Sequence, residues 1–354
     1  MSFEFLRKYG AQRMRNYDPQ PFLQDDGLMM TGDALGKEDL KIETSPNDWK
    51  PRNVNTSVSE SDVKTWKYRP RRFIDGKDVG RTVTTLRSPD GFPVPVYLSQ
   101  IGAVEVRNVN GTLLREYEIA ERVVSLMIDL FSWKEIEGFA MALQARGFRL
   151  LPTPPPKEDG NVGYSFDFER MRKTTQNRST TEMTRLEKKV LSRACDIPTL
   201  VDGRLEPRAG AFDAGENFIV GLIKSHNKNY LHPHGWRVFY DLQQGERTPA
   251  FLLKEDSPEV ISWYLRLDGA SGEMPNWGII RLEIPAKFFR THLAGDWKHL
   301  DCLSRLICAY RCRDQNYTRA PVSIYPIQRA EESLGAVLLP TETFVQKFYR
   351  MVNI

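Results

Sequence analysis

The 354-residue chain is short of the features that would assign it at once. Its four cysteines, Cys195, Cys302, Cys308 and Cys312, form no C-x-x-C pair and no framework of a disulfide-stapled secreted scaffold. No window approaches the roughly 18 uninterrupted apolar residues of a membrane span. The start, Met1 to Lys8 followed by Arg13 and Arg15, lacks the apolar core of a signal peptide, so a cytoplasmic location is expected. There is no G-x-x-x-x-G-K-[ST] loop, so the chain is not expected to hydrolyse ATP. Nor is there a strong excess of charge: 50 basic against 46 acidic residues leave +4, which permits a local basic groove without requiring one. What remains is an ordinary globular composition, 40% hydrophobic and 27% charged, in a chain long enough for one large domain or two small ones.

Residues 1–68 are polar and rich in turn formers, as in Thr44-Ser45-Pro46-Asn47-Asp48 and Asn55-Thr56-Ser57, and read as an extended arm or partly ordered preamble. The body is expected over 69–354, strands first: one from Arg72, then one or two between Val94 and Arg107. Ala120, Val123, Val124, Met127, Ile128 and Phe131 recur at helical spacing. Ser132-Trp133-Lys134-Glu135 reads as a capping box starting a second helix that stops at Gly147. After the non-helical Pro152-Thr153-Pro154-Pro155-Pro156, a helix over about 180–194 completes a long helical insert, about 113–195. Strands are expected near 218–224, 236–240, 262–267 and 278–284, and a helix near 300–311.

Two stretches are nearly the same: Arg72-Phe73-Ile74-Asp75-Gly76-Lys77 and Thr199-Leu200-Val201-Asp202-Gly203-Arg204. If these strands are neighbours, two carboxylates meet at one sheet edge, and carboxylate oxygens are what hard divalent cations prefer. Each Asp-Gly is equally a favoured turn dipeptide. A third carboxylate comes from the helix before Asp202, where Met183, Leu186, Val190, Leu191 and Ala194 form one apolar stripe with Glu187 near its centre. An inward glutamate needs a metal, an arginine or a lysine. Its rival, Glu182, already has a local role in the capping box Ser179-Thr180-Thr181-Glu182.

The order strand-Asp-Gly, helical insert, helix with inward Glu, strand-Asp-Gly resembles the NurA nucleases. So do Ile219-Val220-Gly221-Leu222-Ile223-Lys224, Ser262-Trp263-Tyr264-Leu265-Arg266-Leu267, Trp277-Gly278-Ile279-Ile280-Arg281-Leu282-Glu283-Ile284-Pro285, and Arg319-Ala320-Pro321 followed by Tyr325-Pro326-Ile327. The resemblance spans about residues 70–340. It implies an α/β fold with a ribonuclease-H-like mixed sheet flanked by helices, and a DNA nuclease using two Mn2+ or Mg2+ ions. The implied metal ligands are Asp75, Glu187 and Asp202, with Lys224 nearby. Archaeal members carry a late histidine where this chain has Ala330-Glu331-Glu332; either Glu331 replaces it or that ligand is missing. The resemblance also implies a homodimer docked on a hexameric HerA-type ATPase, in DNA-end processing or antiviral defence.

Lys224 is then expected to hold the scissile phosphate, or to be a solvated strand-end lysine. Arg266 and Arg281 would contact DNA phosphates or form structural ion pairs, and Tyr325 would stack on a base or pack in the core. His226, His232 and His234 read as a loop rather than a zinc site, and Cys302, Cys308 and Cys312 as packing residues. The competing function is a catalytically silent DNA-binding scaffold of a motor complex, and a further one is an RNA-directed nuclease.

Overall fold

The computed structural model describes residues 3–14, 43–158, 161–164, 166–226, 230–254, 257–269 and 274–354. Its centre is three long strands, β1 (Arg72–Arg87), β2 (Pro93–Val109) and β3 (Thr112–Leu126), paired antiparallel in sequence order. Helix α1 (Trp133–Gln144) crosses to β4 (Arg149–Pro152), which runs parallel to β3. Helix α2 (Phe168–Leu191) then leads to β5 (Thr199–Asp202), parallel to β1, and β6 (Ile219–Ile223), parallel to β5. Past α3 (Pro233–Asp241), strands β7 (Val260–Arg266) and β8 (Ile279–Pro285) extend the sheet beyond β6. Helices α4 (Lys298–Ala309), α5 (Tyr325–Val337) and α6 (Thr341–Val352) complete the body. With short edge pieces, the sheet has eleven strands among the described residues, ordered from β7 as β8-β6-β5-β1-β2-β3-β4. The fold is mixed α/β, with helices on both faces.

Side-chain alternation assigns the faces. Phe73, Leu200 and Leu222 pack with Ile307, Ile324 and Ile327 toward α4 and α5, while Ile74, Val201 and Ile219 pack with Leu186 and Val190 of α2. Asp75 and Asp202 follow Ile74 and Val201, so both stand on the α5 face. Buried Arg72 fixes α2 from the other side, donating to the carbonyls of Leu191 (2.8 Å) and Val190 at the helix's C-terminal end and to Glu105 (2.8 Å). A guanidinium there suits the negative end of the helix dipole.

Several expectations need correcting. The helix expected from Ala120 to Phe131 is strand β3 and a turn: Val123 and Val124 are buried on opposite faces, in two different clusters, and burial on both sides produces an apolar run that imitates helical spacing. The insert over 113–195 is therefore β3, α1, β4, a small hairpin and α2, not helical throughout. Helix α2 begins at Phe168 with Asp167 as its cap, so Ser179-Thr180-Thr181-Glu182 lies mid-helix. The expected strand over 236–240 is helix α3, capped by His232 with Pro233 in its first turn. Ser132 does precede α1 but makes no side-chain cap bond; Glu135 pairs instead with Lys8 and accepts from the Tyr9 hydroxyl (2.7 Å).

The polar N-terminal stretch is not a free arm where it is described. Phe5 and Leu6 pack against Phe131 and Phe139. Val54, Val58, Val63 and Trp66 enter the core with Leu303 and Leu306 of α4. Residues 15–42 lie outside the described residues.

Candidate metal centre

Parallel pairing of Ile74 with Val201 sets Asp75 beside Asp202 on neighbouring strands. Asp202 ends β5, and Gly203 (φ +103°) turns the chain away, a conformation that glycine adopts without strain. Asp75-Gly76, by contrast, is neither a turn nor a strand end: β1 runs on to Arg87. Glycine is needed at 76 because a Cβ there would lie 2.5 Å from the Glu187 Oε1. Across the α5 face, Glu331 reaches toward the two aspartates, and one ligand oxygen from each of Asp75, Asp202 and Glu331 lies within 4.8 Å of the others.

Asp75 is 4% exposed, and no donor among the described residues hydrogen-bonds its carboxylate. Burial first, then the neighbouring Asp202 carboxylate, pushes its pKa well above the usual carboxylate range, against the pull of Lys224. Lys224 extends from the end of β6 on the same face, its Nζ 2.8 Å from Asp202 Oδ2 and 3.3 Å from Glu331 Oε1. Burial opposes its charge, but Asp202 and Glu331 hold its pKa above the ordinary lysine value. At the rim, Arg319 Nη1 lies 3.8 Å from Glu331. The Tyr317 hydroxyl is buried near Lys224 and Glu331.

Glu187 is buried, as the apolar stripe implied, but stands on the α2 face. Its two oxygens accept from Arg208 Nη2, both at 2.8 Å, and the same nitrogen donates to the Asp202 carbonyl at 2.6 Å. Burial raises the Glu187 pKa against the Arg208 charge. Of the three partners open to it in the sequence, a metal, an arginine or a lysine, the structure supplies the arginine. Arg208 carried no sequence signal, since it ends a one-turn 3-10 helix, Glu206–Arg208, five residues past Gly203. Glu182 lies among Arg149, Arg178 and Arg185.

Arg266 and Arg281 are buried, and of the two roles open to them in the sequence the structure gives them internal partners. Both faces of their strands are covered; Arg266 donates to the carbonyls of Trp277 (2.6 Å) and Pro275 (2.8 Å), and Arg281 pairs with Glu283 (3.0 Å). Tyr325 is half exposed and lines an open cleft of about 540 Å³ with Arg311, Arg313 and Gln328. It lies six residues before Glu331 on α5, about 9 Å along the axis. The three histidines do not converge on a metal: His226 Nε2 donates to Ile279 O (2.9 Å), His232 accepts from the Gly235 N–H (3.1 Å), and His234 Nε2 donates to Trp49 O (3.0 Å). Burial pushes the Cys302 thiol up to about 11 and Cys308 up to about 12, as for packing residues.

No described helix is long and apolar enough to cross a membrane. No family model and no curated protein matches the chain. Its fold is similar to the crystal structure of the NurA nuclease from Sulfolobus solfataricus, with 11% sequence identity and a TM-score of 0.44, over 85% of this chain and 91% of that one.

Proposed function

We propose that the chain is a metal-dependent DNA nuclease, a phosphodiester hydrolase that holds Mn2+ or Mg2+ on Asp75, Asp202 and Glu331. The observation that carries this reading is the convergence of three carboxylates, of which Asp75 is buried with no hydrogen-bond donor among the described residues. An ionised carboxylate buried alone is unfavourable. An all-oxygen, multiply negative donor set with no thiol or imidazole fits a hard divalent cation. Such an ion, when bound, polarises phosphoryl oxygens and lowers the pKa of a coordinated water. The chain's own groups supply the remainder. Lys224 offers an ammonium to a non-bridging phosphate oxygen and offsets the charge that develops as the ester bond breaks. Tyr325 presents a ring on which a base of the same strand stacks.

The five central strands, in the order β3-β2-β1-β5-β6 with β2 alone antiparallel, support a ribonuclease-H-like core. As a cytoplasmic homodimer acting on single strands and DNA ends, in repair or antiviral defence, the protein would draw energy from a hexameric HerA-type ATPase. A chain without a nucleotide-binding loop needs such a motor to advance along a duplex. The test incubates purified protein with labelled single-stranded DNA, and in parallel RNA, in Mn2+ or Mg2+ with and without EDTA. Cleavage that EDTA and Asp202→Asn each abolish is the expected result. The second reading, a silent DNA-binding scaffold, is favoured by the capture of Glu187 by Arg208. It prevails if DNA is bound but not cut even with the cognate ATPase present.

A further inference from the structure

We propose that the site takes a single divalent cation per chain and that the Lys224 ammonium occupies the place of a second. This rests on the metal-dependent reading above and departs from the two-ion arrangement that the sequence suggested. Two ions side by side need carboxylates to bridge them and further ligands outside. Here Lys224 Nζ already lies between Asp202 (2.8 Å) and Glu331 (3.3 Å), two of the three carboxylates in the cluster. The fourth carboxylate, Glu187, stands on the opposite face of the sheet with both oxygens accepting from Arg208.

Charge balance leads to the same count. Asp75, Asp202 and Glu331 carry three negative charges when ionised, matched by one dication and one ammonium. Two dications with the ammonium would leave an excess of two positive charges, to which Arg319, 3.8 Å from Glu331, adds. Beside the buried Asp75 such an imbalance is poorly screened. Asp75, which no donor among the described residues meets, is left for the ion, while Lys224 already holds Asp202 and Glu331. Lys224 thereby becomes a fixed positive charge beside the reacting phosphate, which in-line displacement otherwise draws from a second metal.

The test counts ions without DNA: Mn2+ is titrated into the full-length protein, and uptake is followed by calorimetry and by the EPR signal of free Mn2+. Wild type is expected to bind one Mn2+ per chain. Lys224→Gln should bind a second or hold the first roughly tenfold more tightly, because a neighbouring positive charge is gone. Lys224→Arg, which keeps the charge, should bind one ion with near wild-type affinity. Two ions in wild type, or unchanged count and affinity in Lys224→Gln, overturn the inference while leaving a metal-dependent nuclease standing. No uptake that Asp75→Asn abolishes would remove the metal reading itself, and this inference with it. Thermal melts in EDTA report whether each variant folds, and should Lys224→Gln fail to, the wild-type count alone decides.

Discussion

Two acidic side chains show opposite ways of keeping a carboxylate buried. Asp75 has no donor among the described residues, and its pKa is raised by burial and by Asp202, so its ionised form destabilises the metal-free fold; that destabilisation is the cost of a site ready for a cation. Asp75→Asn should therefore raise the Tm in EDTA by about 2–4 °C while abolishing the stabilisation that added Mn2+ gives wild type. A lower Tm in EDTA would show that Asp75 has a structural partner after all. Glu187 is instead held by Arg208 at 2.8 Å, both side chains almost fully buried. Removing one member strands the other, so Arg208→Ala should cost ~3–5 kcal/mol in denaturant unfolding, and a joint Glu187→Gln change should recover part of that loss. Additive losses would mean the pair is not coupled. Gly76→Ala would press a methyl group onto this pinned carboxylate and should cost ~1–3 kcal/mol.

Among the elements, legibility followed how clearly each apolar run is bounded. Helix α4 and strands β6, β7 and β8 lie within a few residues of their expected places, because each apolar run has clear ends. Strand β3 was hidden because Val123 and Val124 are both buried, which erases the two-residue alternation. Helix α3 was hidden because its opening, His232-Pro233, is a cap whose meaning depends on the helix that follows. In the site, Asp75, Asp202, Lys224 and Glu331 could be named from sequence, but which face each occupies needed the register of β1 with β5. Arg208, at the end of a one-turn 3-10 helix, announced nothing. The same limit concealed the tie between the N-terminal stretch and the sheet, where Glu43 accepts from Arg247 Nη1 and Nη2, both at 2.9 Å, and Arg247 also donates to Asp301 (2.5 Å). Burial works to raise the Glu43 pKa, but the Arg247 bonds and charge bring it below the ordinary 4.5. A depressed carboxylate contributes stability above its unfolded pKa and loses it as pH falls through the folded value. Glu43→Gln should accordingly be less stable than wild type by about 1.5–3 kcal/mol at pH 7, with the gap closing once the pH drops below about 4.5. A gap unchanged at pH 3 would rule out this linkage.

At the scale of the molecule, one sheet carries the site at its centre and is closed at one edge by residues whose composition reads as a solvated arm. Polar content alone misled here, because four apolar side chains spaced among turn formers are enough to dock a segment when a groove awaits them. Val54, Val58, Val63 and Trp66 enter the cluster beneath α4, Trp66 Nε1 donates to His299 Nδ1 (2.9 Å), and Arg305 of α4 donates to the carbonyl of Asn55 (2.9 Å). Fully burying side chains of this kind stabilises by about 1.5–3 kcal/mol each, so together they approach the whole net stability of a typical domain. They lie against α4, which with α5 forms the layer that backs Asp75 and Asp202 and presents Glu331. Deleting residues 1–68 should therefore leave a chain that is insoluble, or that keeps helical far-UV signal without cooperative melting, and Mn2+ uptake should be lost with it. If the segment were a detachable docking arm, the truncated protein would melt within a few degrees of full length and still bind Mn2+. That result would leave the core to residues 69–354 alone.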